Sequence, residues 1–149
     1  MSSYVPAQLR RLVVVRASRL CEYCLIHEDD TYLGCQVEHI ISEKHGGLTI
    51  SENLAYACVF CNRFKGTDLG SLDQQSGQLV RFFNPRTDSW STHFKFDGPR
   101  ITPLTKIGEV TVQILDMNGS LRVQEREELI KDGRFPSPAA MAHLLSEGQ

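Results

Sequence analysis

The sequence predicts an α+β chain on three observations. An apolar run near the N-terminus has helical spacing, a β-branched stretch lies between residues 32 and 41, and strand and hairpin signals in the second half give way to helical periodicity. Pro6 to Leu20 reads as a helix, because Leu9, Leu12, Val13 and Arg16 recur at helical spacing and Pro6 suits a first turn. Tyr32 to Ile41 reads as a strand region carrying Val37, Ile40 and Ile41, and Lys44-His45-Gly46-Gly47 as a loop. Asn53 to Lys65 is expected to be mostly helical, with Gly66 as its stop.

Beyond that point, Gln78 to Phe83 suggests a strand and Asn84-Pro85-Arg86 a turn. His93–Phe96 and Arg100–Leu104 flank Asp97-Gly98, a hairpin signal, although Pro99 weakens the start of the second strand. Thr105 can cap a helix that places Ile107, Val110, Ile114 and Leu115 on one face. Asn118-Gly119 breaks it, and Ser120 to Lys131 forms a further helix ending at Gly133. Pro136-Ser137-Pro138 sets off a short, frayed tail.

With 149 residues, the chain fits one domain of modest core or a small motif with an appendage. No apolar run approaches the ~20 residues needed to cross a bilayer. Leu12-Val13-Val14-Val15, with arginine on both sides, is too short for a signal-peptide core. The expected location is the cytoplasm, with reduced thiols. The net charge of −2 argues mildly against nucleic acid, since a binder of phosphates usually shows a basic footprint. Local groups counter that sum: Arg10, Arg11, Arg16 and Arg19 in one stretch, Arg63 and Lys65 in another. Each group taken alone is also what a solvated helix face looks like.

The five cysteines are more specific. Four form two knuckles, Cys21-Glu22-Tyr23-Cys24 and Cys58-Val59-Phe60-Cys61. In a reduced compartment, paired C-x-x-C units point to a structural metal before they point to disulfides. Both sulfurs of a knuckle can approach one ion at ~2.3 Å, and two knuckles complete a tetrahedral Cys₄ zinc site. Such a site contributes folding energy directly. Cys35 is left over and reads as a buried small apolar residue.

Between the knuckles stand Glu38-His39 and Asn53, and Asn62 follows Cys61. Val37-Glu38-His39-Ile40-Ile41, Gly46-Gly47, Asn53-Leu54 and Cys58-x-x-Cys61-Asn62-Arg63-x-Lys65-Gly66 together resemble the HNH endonuclease family, over Cys21 to about Gly66. Fourteen positions separate His39 from Asn53 and nine separate Asn53 from Asn62. The later Phe-Asn-Pro-Arg and Trp-x-x-His-Phe stretches are similar to the tails of small bacterial HNH proteins. Two positions depart from the common pattern: Asn62 stands where His is frequent, as in other members that carry Asn there, and Ser42 stands where Pro often follows His-Ile-Ile.

The resemblance implies a small ββα-metal core with a structural Cys₄ zinc site, an N-terminal helix and a C-terminal hairpin-plus-helices extension. The expected divisions are residues 1–70 for the helix and nuclease core, 71–135 for the extension packed on it, and 136–149 for the tail. It also implies metal-dependent hydrolysis of DNA, expected to be double-stranded, leaving 5′-phosphate and 3′-hydroxyl ends. His39 would be the general base and Asn53 the residue that orients its loop. Glu38 and Asn62 would hold the catalytic cation, Mg²⁺ or another divalent ion such as Mn²⁺ or Ni²⁺. Arg63, Lys65, Arg10 and Arg11 are the candidate phosphate contacts.

The chemistry agrees with the residue types. Phosphodiester hydrolysis needs a deprotonated water and stabilisation of charge on the phosphate and the leaving oxygen. A histidine can remove the proton near neutral pH, and oxygen ligands suit a hard cation. Adjacent strand residues face opposite ways, so Glu38 and His39 can share a site only near a strand end, a bulge or a strong twist. His45 reads as a loop residue. His27, His93 and His143 have no supporting partners in sequence, and Trp90, Phe94 and Phe96 read as core. The rival reading is a non-catalytic Cys₄ zinc module that binds DNA or a protein. Oligomeric state and DNA site are not legible in the sequence.

Overall fold

The computed structural model of the chain describes residues 4–147. Helix α1 (Ala7–Arg16) begins after Pro6 and ends where Ser18 and Arg19 take positive φ. Its buried Val13, with Leu9 and Val14, packs on Val5, Leu54 and Tyr56. Leu12, expected on the packed face, is exposed.

Strands β1 (Cys35–His39) and β2 (Leu54–Cys58) pair antiparallel, with Cys35 opposite Cys58 and His39 opposite Leu54. Helix α2 (Val59–Lys65) follows β2 without a loop, which completes a ββα unit. The expected helix from Asn53 is therefore only half a helix. Residues 54–58 are a strand buried on both faces: Leu54 and Tyr56 meet α1, while Ala55 and Ala57 enter the main core. A short apolar run buried on both sides carries no periodicity that separates strand from helix. Gly47 lies in the loop between β1 and β2, where a Cβ would come within 1.7 Å of the Ile41 carbonyl oxygen, so only glycine permits this approach.

The second half adds two hairpins and four helices. Strand β3 (Gly70–Leu72), which the sequence did not signal, pairs with β4 (Leu79–Arg81). The one-turn helix α3 (Trp90–His93) leads into β5 (Phe94–Asp97), paired with β6 (Arg100–Pro103) across a turn in which Gly98 takes positive φ. Thr105 caps α4 (Lys106–Ile114) by accepting from the Gly108 amide at 3.0 Å. α5 (Ser120–Lys131) follows.

The expected frayed tail is instead helix α6 (Pro138–Glu147), with residues 148–149 outside the described part. Ala140 is fully buried, and the Glu147 carboxylate accepts from the backbone amides of Trp90 and Ser91, at the start of α3. The proline pair starts this helix and does not detach it.

One buried cluster runs from the first knuckle through Phe82, Phe83, Trp90 and Phe94 to Ala140. The Trp90 indole donates to the Tyr23 carbonyl at 2.8 Å. The C-terminal half thus packs directly behind the cysteines. No helix among the described residues is long and apolar enough to cross a membrane.

Candidate active site and metal centre

The four knuckle cysteines come together from two chain regions. A bridge between Leu20 and His27 closes the first loop, Cys21 N–H donates to Ile26 O at 2.8 Å, and Leu25 takes positive φ. The second knuckle spans the β2–α2 junction, where the Cys58 sulfur caps the helix by accepting from Cys61 N–H at 3.4 Å. Cys24 N–H makes the matching contact to the Cys21 sulfur at 3.5 Å. All four sulfurs are buried and lie within 4.8 Å of one another, with Cys24 and Cys58 at 3.8 Å. None is in a disulfide. Four thiolates at ~2.3 Å around one tetrahedral ion would lie roughly 3.8 Å apart, so the cluster could hold zinc.

Cys35 stands outside this set and is half-buried; burial pushes its thiol well above the ordinary range. Arg122 on α5, which the sequence did not single out, completes the cluster. Its guanidinium donates to Cys61 Sγ at 3.0 Å and Cys58 Sγ at 3.7 Å, and to the carbonyls of Leu115 and Asp116 at 2.7 and 3.1 Å. It also lies over the Phe60 ring, 5.7 Å from its centroid. Burial alone would lower this guanidinium's pKa; the charges of Cys61, Cys24 and Cys58 outweigh that and keep it charged. An arginine in the first turn of a helix rich in charged residues gives no sign in sequence that it faces inward.

About the end of β1, a hollow of about 610 Å³ is walled by Glu38, His39, Ser42, Lys44 and Asn62, among others. β1 stops at His39, which meets the strand-end condition for two adjacent residues to reach one space. His39 is half-exposed, and its Nε2 lies 2.9 Å from Thr49 Oγ1. Asn53 clamps the intervening loop. Its Oδ1 accepts from Ile41 N–H, and its Nδ2 donates to the carbonyls of Ile41 and Leu48, all at 2.9 Å. Its own carbonyl accepts from Ile40 N–H at 2.9 Å. Asn53 is not a helix cap, because β2 follows it.

Glu38 is buried, with Oε1 accepting from the Tyr23 hydroxyl at 2.5 Å and Oε2 from Lys65 Nζ at 3.1 Å. Burial pushes its carboxyl up, and the Lys65 charge with these two hydrogen bonds offsets part of the rise. Lys65 also donates to the carbonyls of His39 and Ile40, at 3.1 and 2.9 Å. Expected among the phosphate contacts, Lys65 is instead 2% exposed, and its three acceptors lie on Glu38, His39 and Ile40, at and just past the end of β1. It cannot reach a phosphate from there and serves to hold the strand end. Spacing on α2 placed it near Asn62 without indicating that it turns inward.

Asn62 Nδ2 donates to Gln36 Oε1 at 2.7 Å, and Asn62 Oδ1 has no partner among the described residues. Ser42 Oγ, in the same wall, is buried without a partner among them. A carboxylate with lone pairs to spare, a free amide oxygen and an unpartnered hydroxyl form an oxygen donor set that fits a hard cation.

The basic residues divide. Arg63 is exposed beside Asn62. Arg10 lines a second hollow of about 520 Å³, which shares Val37 and Asn62 with the first. Arg11 is exposed on α1 and lines neither. Arg16 donates to the Leu54 carbonyl at 2.9 Å, and Arg19 pairs with Glu28 at 2.7 Å. The remaining histidines have local partners or lie aside: His27 caps the turn at Asp29, His93 bonds Thr105, His143 faces Glu147, and His45 is exposed off the hollow. A more apolar hollow of about 380 Å³, between Ile40, Phe82 and Arg81, contains neither His39 nor Asn62.

Residues 21–68, about a third of the chain, match the family model described as HNH endonuclease. No curated protein and no solved structure matches the chain.

Proposed function

With an HNH domain of nuclease type at residues 21–68 as the premise, we propose that this protein is a metal-dependent endonuclease that hydrolyses DNA, double-stranded by preference, with His39 as general base. One observation carries the reading: His39, Glu38 and Asn62 wall a single hollow whose loop is clamped by Asn53. Cys21, Cys24, Cys58 and Cys61 hold a structural Zn²⁺, and Glu38 and Asn62 hold a catalytic Mg²⁺, Mn²⁺ or Ni²⁺.

When bound, the catalytic cation supplies stabilisation of charge on the phosphate and the leaving oxygen. His39 does the proton work. With Nε2–H donating to Thr49 Oγ1, the lone pair stays on Nδ1, which has no partner among the described residues. Nδ1 takes a proton from the attacking water as the new oxygen–phosphorus bond forms and the bond to the 3′ oxygen breaks; the departing 3′ oxygen takes a proton from solvent water, leaving 5′-phosphate and 3′-hydroxyl ends. Asn53 fixes the loop between residues 41 and 48, and Lys65 fixes the strand end, so the imidazole has a defined approach. Arg10, which lines the second hollow, and the exposed Arg63, next to Asn62 in the chain, would supply phosphate contacts.

Glu38 favours one rival. Its carboxylate already has two partners, as in a purely structural ion pair, and a zinc module that binds without cutting would tolerate that. Plasmid cleavage decides, with metal omitted and then with Mg²⁺, Mn²⁺ or Ni²⁺ added. His39→Ala should lose ~10²–10⁴ in single-turnover rate and keep metal binding. Glu38→Ala should weaken metal binding and recover in part at high metal, and Asn62→Ala should do so more mildly. Full rescue of His39→Ala by metal would make His39 a ligand. Wild-type protein that cuts with none of these metals would leave the binding module in place. Metal analysis should find about one tightly held zinc per chain in every variant.

A further inference from the structure

We infer that Gln36 is a positioning residue for the catalytic cation, acting by setting which end of the Asn62 amide faces the hollow. The inference rests on the proposed nuclease reading and goes beyond its ligand set. Gln36 lies on β1 two residues before Glu38, so both side chains leave the strand on the same face. That face meets α2 in two rungs. Glu38 pairs with Lys65, and one helical turn earlier Gln36 pairs with Asn62, Nδ2 to Oε1 at 2.7 Å.

An asparagine side chain is nearly symmetric in shape, and its two ends are opposite in chemistry: one accepts, the other only donates. Nothing else among the described residues bonds the Asn62 side chain. If the amide rotated by half a turn, an N–H₂ group would face the site, and it has no lone pair to offer a cation. The Gln36 acceptor occupies the Nδ2 end and so leaves Oδ1 as the unpartnered end of a side chain that walls the hollow with Glu38 and His39. Gln36 is exposed and is not one of the four clustered cysteines, so its role is separable from folding.

The test is Mn²⁺ binding to zinc-loaded protein, read by the loss of the free-ion paramagnetic resonance signal, with and without Asn62→Asp. Gln36→Leu keeps the size and removes the acceptor, and Gln36→Ser serves as a second variant should the leucine perturb folding. Partners that orient a ligand typically contribute ~10–100-fold in metal affinity, so each variant should bind Mn²⁺ roughly tenfold more weakly than wild type. In the Asn62→Asp background both ends of the ligand are oxygens, orientation no longer matters, and replacing Gln36 should change affinity by less than about twofold. Zinc content and melting temperature should not move.

Equal affinity of wild type and both Gln36 variants would overturn the inference and leave the nuclease reading intact. A loss of the same size in the Asn62→Asp background would overturn it too, since Gln36 would then act by some route other than the amide. Wild-type protein with no saturable Mn²⁺ binding would overturn both this inference and the catalytic-metal reading.

Discussion

Arg122→Met removes a guanidinium and keeps the buried stem. Four contacts go with it: the sulfurs of Cys61 and Cys58 and the carbonyls of Leu115 and Asp116. The residue is 5% exposed and Leu115 is fully buried, so water cannot replace the lost donors without opening the core. Four thiolates on one divalent ion leave an excess of negative charge, and Arg122 is the cation that donates to them. Removing one partner of a buried charged set typically costs ~3–5 kcal/mol. In a domain of this size each kcal/mol lowers the melting temperature by roughly 2–4 °C, so a fall of about 6–20 °C is expected. Calorimetry on zinc-loaded protein gives that number, and transfer of zinc to a chromogenic chelator gives the second readout, which should be faster. Arg122→Lys keeps the charge and loses the fork, and should fall between wild type and Met. A melting temperature within about 2 °C of wild type together with unchanged zinc release would refute the charge-balance argument.

Three other outcomes are expected. Thr49→Val removes the hydrogen bond to His39 Nε2; at a net worth of about 0.5–1.5 kcal/mol, single-turnover cleavage should slow roughly 2- to 13-fold with Mn²⁺ affinity unchanged, and a fall in affinity instead would place Thr49 at the metal. Burial raises the Glu38 carboxyl above its ordinary value of ~4.3, so the folded chain holds that proton more tightly than the unfolded one. The Glu38 contribution to stability is then fully present below about pH 4.3 and is lost as pH rises through the raised value; the melting difference between wild type and Glu38→Gln should move in favour of the variant over that window, and a pH-independent difference contradicts the sign. Arg10→Ala should reduce the log–log salt slope of duplex binding by about 0.9 while Arg11→Ala leaves it alone; equal effects would move the nucleic-acid track away from the joined hollows.

What the sequence made legible was local or strongly patterned. Two C-x-x-C units need only their spacing to suggest a shared ion, and Thr105 or Gly46 announce themselves through the backbone conformations they favour. Residues 54–58 defeated the same approach because burial on both faces erases the alternation that marks a strand. α6 was hidden for a different reason: its docking depends on Glu147 reaching the start of α3, a contact between residues far apart in the chain. Lys65 and Arg122 belong to that second kind. A cation in sequence reads as surface by default, and only tertiary structure turns these two inward, one onto the His39 and Ile40 carbonyls and the other onto sulfurs. The same limit hid Gln36 and Thr49, whose importance is to touch Asn62 and His39.

The four-cysteine cluster and the hollow are mechanically one unit, and on the proposed reading this gives a zinc site a reason to sit beside the reacting site. Tyr23 lies between the two cysteines of the first knuckle, and its hydroxyl donates to Glu38. Asn62 follows Cys61, the last cysteine of the second knuckle. Of the expected ligands of the catalytic cation, Glu38 is therefore one contact from a residue of the first knuckle, and Asn62 is one peptide bond from a cysteine of the second. Cys58 extends the linkage, since it ends β2, starts α2 and sits opposite Cys35 at the far end of β1 from His39. A ββα unit of this size buries too little on its own to fix a strand end and a helix start to within the tolerance a reacting geometry needs. An ion drawing the two knuckles together does so at the two points from which Glu38 and Asn62 are held. The C-terminal half then bears on the same points from behind, through Trp90 on the Tyr23 carbonyl and Arg122 on the Cys61 sulfur. On that arrangement the second half of the chain has no need of chemistry of its own to matter for the proposed cleavage.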